Sequence, residues 1–100
     1  MKRLLLTASF LLFFFIISFS QQGFLRGRII DAETGEPLIG VTIVAPSINA
    51  GTISDFDGNY SLALDPGTYT IMMSYVSYET QNHEGVEIQA GEVSIINANM

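Results

Sequence analysis

The sequence predicts an all-β fold, a small antiparallel β-sandwich of about seven short strands behind an N-terminal signal peptide. Three observations carry that expectation. The chain opens on a short basic stretch and an apolar run that ends in small residues. Beyond it, Gly, Pro, Asn and Asp clusters recur every ~8–12 residues. Between those clusters apolar and polar residues alternate, and no stretch shows the period of a helix.

In the opening "MKRLLLTASFLLFFFIISFSQQG", Lys2 and Arg3 form a positive leader and Leu4 to Ile17 an almost unbroken apolar run. Ser18 and Ser20 stand at the −3 and −1 positions of a cut before Gln21, the anatomy of a secretory signal. The run is shorter than the ~20 residues a spanning helix needs, so cleavage is preferred over an uncleaved anchor. No cysteine follows it, which disfavours a lipid anchor. The chain therefore divides into a signal peptide at 1–20 and one β-sandwich domain at 21–100, with no membrane span in the mature part.

Cleavage leaves Arg26 and Arg28 against ten acidic residues, a formal net charge of −8 over residues 21–100. A surface so acidic is unsuited to nucleic acid or to anionic lipid. With no cysteine in 100 residues, stability rests on a packed core rather than on disulfides. An 80-residue remainder is one small domain, burying only ~60% of its unfolded surface, which favours a module over an enzyme with a deep cleft.

Strands are expected at 24–31, 40–45, 51–54, 60–64 and 69–76, with two more between 85 and 100 around a turn at Ala90–Gly91. Within the first, Leu25 and Ile29 face opposite to Phe24, Arg26, Arg28 and Ile30; later, Tyr60, Leu62 and Leu64 face opposite to Ser61 and Ala63. Gly35 and Pro37 mark the first turn, and Pro66 and Gly67 form the centre of another. The closing "SIINANM" ends inside a strand and reads as a segment that continues, because a finished domain usually closes on residues that fray into water.

"TISDFDGNYSL" (52–62) is the stretch most like chemistry. Counted as a calcium loop from Asp55, it places Asp57 and Asn59 correctly but has Tyr60 where the sharp turn needs Gly and lacks the late bidentate Glu. As a catalytic pair, Asp55 and Asp57 lack neighbours that would shift a carboxyl pKa. The preferred reading is a turn in which Asp55, Asp57, Gly58 and Asn59 supply side-chain caps and a free φ. His83 is the only histidine and sits among polar residues in "ETQNHEG"; it is expected in an exposed loop, and no metal or cofactor is expected. Tyr75 and Tyr78, in "SYVSYE", are the one pair able to face outward together, on a surface that could bind carbohydrate.

Taken in order, "GRIIDAETGEPLIGVTIV", "GTISDFDGNYSLAL", "PGTYTIMMSYVSYE" and "GEVSIINANM" resemble the carboxypeptidase regulatory-domain-like family across residues 23–100. The resemblance implies a prealbumin-like (transthyretin-like, Ig-like) sandwich without catalytic residues. It also implies that the "SDxDGxY" segment is a hairpin turn, matched by Asp55, Asp57, Gly58 and Tyr60. Gly27, Asp31, Gly35, Pro37, Gly40, Pro66, Gly67 and Tyr69 match other framework positions, while Ser77 stands where the pattern has Gly. Most similar are the copies at the front of SusC/RagA-type TonB-dependent outer-membrane receptors. The function this implies is a non-enzymatic periplasmic module of a nutrient receptor, with protein partners. The alternative is a stand-alone secreted or periplasmic domain that binds glycan.

Overall fold

The computed structural model describes residues 21–100; the expected signal peptide lies outside the described residues. Eight strands are formed: β1 Gly23–Ile30, β2 Thr42–Ala45, β3 Ala50–Ile53, β4 Asn59–Leu64, β5 Gly67–Ser74, β6 Gln81–Ile88, β7 Val93–Ile95 and β8 Ala98–Asn99. They make two sheets. One runs β4-β1-β7, with β8 continuing along β1; the other runs β3-β2-β5-β6. The chain is thus an all-β sandwich, antiparallel except where β7 and β8 return parallel to β1.

Alternation decides which face is buried, because successive strand side chains point to opposite sides of a sheet. Leu25 and Ile29 of β1 and Tyr60, Leu62 and Leu64 of β4 point inward, and so do Ile43, Ile71, Met73, Val86 and Ile88 of the other sheet. Leu25, Ile29, Ile43, Leu64, Ile71 and Met73 are fully buried. Each such side chain contributes about 1.5–3 kcal/mol relative to remaining exposed, and together they hold the sheets face to face.

Several strand boundaries differ from the sequence reading, three of them for a clear physical reason. β2 starts at Thr42, not 40, because Gly40 takes φ 80° and keeps the chain out of the sheet. β5 stops at Ser74, since the Tyr78 amide closes a turn onto the Tyr75 carbonyl. The polar "QNHE" belongs to β6: Gln81, Asn82 and His83 pair with Met73, Met72 and Ile71. His83 is therefore a half-buried strand residue, not a loop residue, with a ring nitrogen 3.2 Å from the Gln81 side-chain oxygen. A long β5 supplies ladder partners to any residue laid beside it, so main-chain pairing overrides the polarity of the segment.

The turns sort into two kinds. β2–β3 and β5–β6 are hairpins within one sheet, whereas 54–58 and 65–66 carry the chain from one sheet to the other. The "SDFDG" turn is thus a crossover, not the in-sheet hairpin implied by the family resemblance. Its pivot is Ser54, which is almost completely buried. The Ser54 hydroxyl accepts from the Val41 amide at 2.9 Å and donates to the Leu38 carbonyl at 2.7 Å. Its own amide donates to the Val41 carbonyl at 3.0 Å. Two main-chain groups are satisfied by one small side chain where the sheets part.

Removing that hydroxyl strands a buried amide and a partly buried carbonyl. Ser54→Ala is expected to lower stability by about 2–3 kcal/mol, measured as the shift in the urea midpoint at unchanged slope; a loss below about 0.5 kcal/mol would contradict the pivot.

Candidate functional site

The 52–62 stretch is held by its own side chains. Asp55 Oδ1 accepts from the amides of Asp57 and Asn59, each at 3.0 Å. The Gly58 amide donates to the Asp55 carbonyl at 3.0 Å, and the Asp55 amide to the Asn59 carbonyl at 2.8 Å. Such self-capping is the reason Asp and Asn suit turns. Gly58 has φ 79° and is buried; a Cβ there would run into the Ile29 carbonyl oxygen and press on Pro37. From β1, Arg28 donates through Nε to the Asp57 carbonyl at 3.0 Å. The Asp55 carboxylate is thereby tied to local backbone and Asp57 is held through its main chain, and among the described residues no group of three or more His, Asp or Glu is placed to hold a metal ion.

A second cluster joins distant parts of the sequence. Asp31, just past β1, accepts from the Glu33 and Thr34 amides through Oδ1, at 2.8 and 2.9 Å. Its Oδ2 accepts a short hydrogen bond from the hydroxyl of Tyr78. Gly35, at φ 74°, returns its amide to the Asp31 carbonyl at 2.9 Å, and Pro37 forms an isolated bridge with Ile30. The Tyr78 hydroxyl, followed by the Thr34 and Glu33 amides, holds the Asp31 carboxyl below the usual aspartate value. That same bond, stabilising the neutral phenol, pushes Tyr78 above the usual tyrosine value.

Tyr78 also lies against Tyr75, ring centroids 5.5 Å apart and planes inclined at 44°. Tyr75 is half-buried against the core. Beside it an open depression of ≈ 270 Å³ is lined by Gly40, Thr42, Ser74, Tyr75 and Val76. The two rings are tilted rather than coplanar, and one hydroxyl is committed to Asp31, so they form a clamp across the β5–β6 turn. Within that turn Ser77 adopts φ 68°, the left-handed region that costs a side-chain-bearing residue about 1–2 kcal/mol. At the far end, Pro66 is exposed, Gly67 opens β5, and the Tyr69 hydroxyl donates to the Asp65 carbonyl at 2.7 Å.

The structure brings Gly58 and Pro37 together, and Tyr75 and Tyr78. It leaves Pro66 and Gly67 at a separate turn between β4 and β5. Sequence reasoning missed Ser54, whose burial has no local signal, and the Asp31–Tyr78 bond, which spans 47 positions. It also missed Asn97, whose Oδ1 accepts from the Arg28 amide at 2.9 Å where the ladder between β7 and β8 is interrupted.

Turns capped by side chains, two facing sheets and a clamp define a small β-sandwich module. A model of the CarboxypepD_reg-like domain matches residues 25–100, and the chain belongs to that family. It is similar to the TonB-dependent receptor P39 of Formosa agariphila, 40% identical over 68 residues, which is 68% of this chain and 6% of that receptor. It is likewise 40% identical over 70 residues to the TonB-dependent receptor SusC of Bacteroides thetaiotaomicron, 70% of this chain and 7% of the receptor. The chain thus spans less than a tenth of the curated relatives it matches. Among solved structures, a chain of a type II cohesin–X-dockerin complex from Acetivibrio cellulolyticus superposes with TM-score 0.63 at 16% identity, covering 76% of this chain and 52% of that one. A candidate carbohydrate-binding protein from Bacteroides uniformis gives TM-score 0.58 at 14% identity, covering 79% and 41%. At such identities these two likenesses speak to fold alone.

Two outcomes follow from the clamp. Asp31 has a depressed folded pKa, so its contribution is complete above the unfolded value of 3.8 and is lost as pH falls through the lower folded value. Tyr78 has a raised folded pKa, so its contribution is complete below 10.0 and is lost as pH rises through the higher folded value. Tyr78→Phe is therefore expected to lower the urea midpoint at neutral pH, with the deficit shrinking below about pH 4; a deficit independent of pH would reject the bond. Separately, Ser77→Gly relieves the left-handed strain and is expected to raise stability by up to about 1 kcal/mol, while Ser77→Val lowers it.

Proposed function

We propose that the chain is a non-enzymatic accessory module of an exported protein, the N-terminal periplasmic domain of a TonB-dependent outer-membrane receptor for nutrient uptake. The observation that carries this reading is the identity of 40% over 68 and 70 residues with two TonB-dependent receptors, of which the matched segment is only 6% and 7%. The signal-like opening before Gln21 supports it, because a front domain follows directly on an export signal. The module acts mechanically: side-chain-capped turns and a clamped loop present fixed surfaces to the rest of the receptor. Asp55 and Asp57 serve as turn formers, and no metal or cofactor enters.

A stand-alone secreted or periplasmic domain that binds glycan is the second reading. The depression beside Tyr75 and the neighbouring Tyr78 ring favour it.

Size and location of the native polypeptide decide between them. An antibody raised against residues 52–68, applied to fractionated cells, is expected to reveal a polypeptide many times larger than this 10.9 kDa chain, in the outer-membrane fraction. A band of about the chain's own size in the soluble fraction overturns the receptor reading. In that case, loss of glycan binding in Tyr78→Ala would establish the second.

A further inference from the structure

The outer face of the β4-β1-β7 sheet has a charge character unlike that of the rest of the domain. Strand pairing lays two rows across it, Ala63–Phe24–Val93 and Ser61–Arg26–Ile95. Phe24, Val93 and Ile95 are 37%, 47% and 61% exposed. Arg28 extends the same side of β1 one step further, opposite Asn59. The only two basic residues of positions 21–100 thus share one face with three exposed apolar side chains. None of the ten acidic residues falls in these rows. The Arg26 guanidinium lies 5.4 Å from the centre of the Phe24 ring, and Arg28 Nε donates to a backbone carbonyl. Neither contact neutralises charge.

We propose that this face docks a different protein surface, one with an apolar centre and carboxylates placed to meet Arg26 and Arg28. A membrane of anionic lipid sets a broad layer of negative charge against the whole acidic domain, whereas two placed carboxylates need meet only Arg26 and Arg28. A sugar ring needs an open aromatic face, and the guanidinium of Arg26 stacks on the ring of Phe24. A symmetric pairing of two copies would set these arginines near their own equivalents, at a cost in like-charge repulsion. Aliphatic Val93 and Ile95 suit burial against protein, where an apolar core with arginine at its margin is the usual composition. Alternate positions on β1 put the two guanidiniums roughly 7 Å apart at their backbones, a spacing matched by two carboxylates on alternate residues of a strand.

Placement of a benzophenone amino acid at Ile95, in cells producing the native polypeptide, tests the surface. The expected product is one protein adduct whose mapped peptide carries two or more Asp or Glu residues. Its yield should fall at least about tenfold in Arg26→Glu combined with Arg28→Glu. Because Arg28 also supports the crossover turn, Arg26→Glu alone serves as the second variant and should lower the yield at an unchanged melting temperature. An adduct with lipid, glycan or a second copy of the chain overturns the proposal. So does an acid-free peptide, a yield indifferent to charge reversal, or the absence of any adduct. The size of the polypeptide without irradiation reports the receptor assignment separately, so the two readings can fail independently.

Discussion

Closure of β1 by the last strands is the constraint on which the rest of the sandwich depends. β1 has β4 on one side, and only β7 and β8 satisfy its other side. That closure is not a continuous ladder: it breaks at Ile96 and Asn97, where the chain dips toward β1. Gly27 makes the dip possible, because any Cβ there would meet the Ile96 carbonyl oxygen and the Tyr60 ring. The Tyr60 hydroxyl donates to that carbonyl at 2.6 Å, and burial pushes the phenol up to about 12. Asn97 restores the missing acceptor for Arg28. Glycine, tyrosine and asparagine from three parts of the chain thus mend one interruption.

Beyond β1, the same economy recurs at two places where the chain leaves a sheet. There a short polar side chain binds several main-chain groups at once: Asp31 after β1, Ser54 after β3, with Asp55 beside it in the crossover. A domain of this size has little apolar area to spare for stability. Loops ordered by side-chain bonds add rigidity without enlarging the core. That rigidity matters for a module whose proposed work is to present surfaces rather than to transform a substrate.

Much of the architecture was legible in the residues, and the reasons are local. Leu25 and Ile29, or Tyr60, Leu62 and Leu64, announce their inward face by alternation alone, since the period of a strand is fixed by backbone geometry. Gly35, Gly58 and Gly91 mark left-handed positions that few other residues tolerate. What escaped the sequence is what depends on distant partners. The parallel return of β7 and β8 onto β1, the burial of Ser54 and the reach of Tyr78 to Asp31 have no nearby signature. His83 was misplaced for a related reason: its polarity describes its neighbours in sequence, while its strand is set by the ladder of β5. At the candidate site, the self-capped character of Asp55 was visible and the crossover role of its turn was not.

The order of strands also has a temporal consequence. Residues 23–30 are synthesised well before residues 93–99, yet they are neighbours in the same sheet. β1 cannot complete its bonding until β7 and β8 are available, so the closing step joins segments from opposite ends of the domain. Loops of that length are slow to close, which places such topologies among the slower-folding small domains. A polypeptide that stays open until its last strand arrives is one that can be threaded through a narrow passage before it acquires a shape.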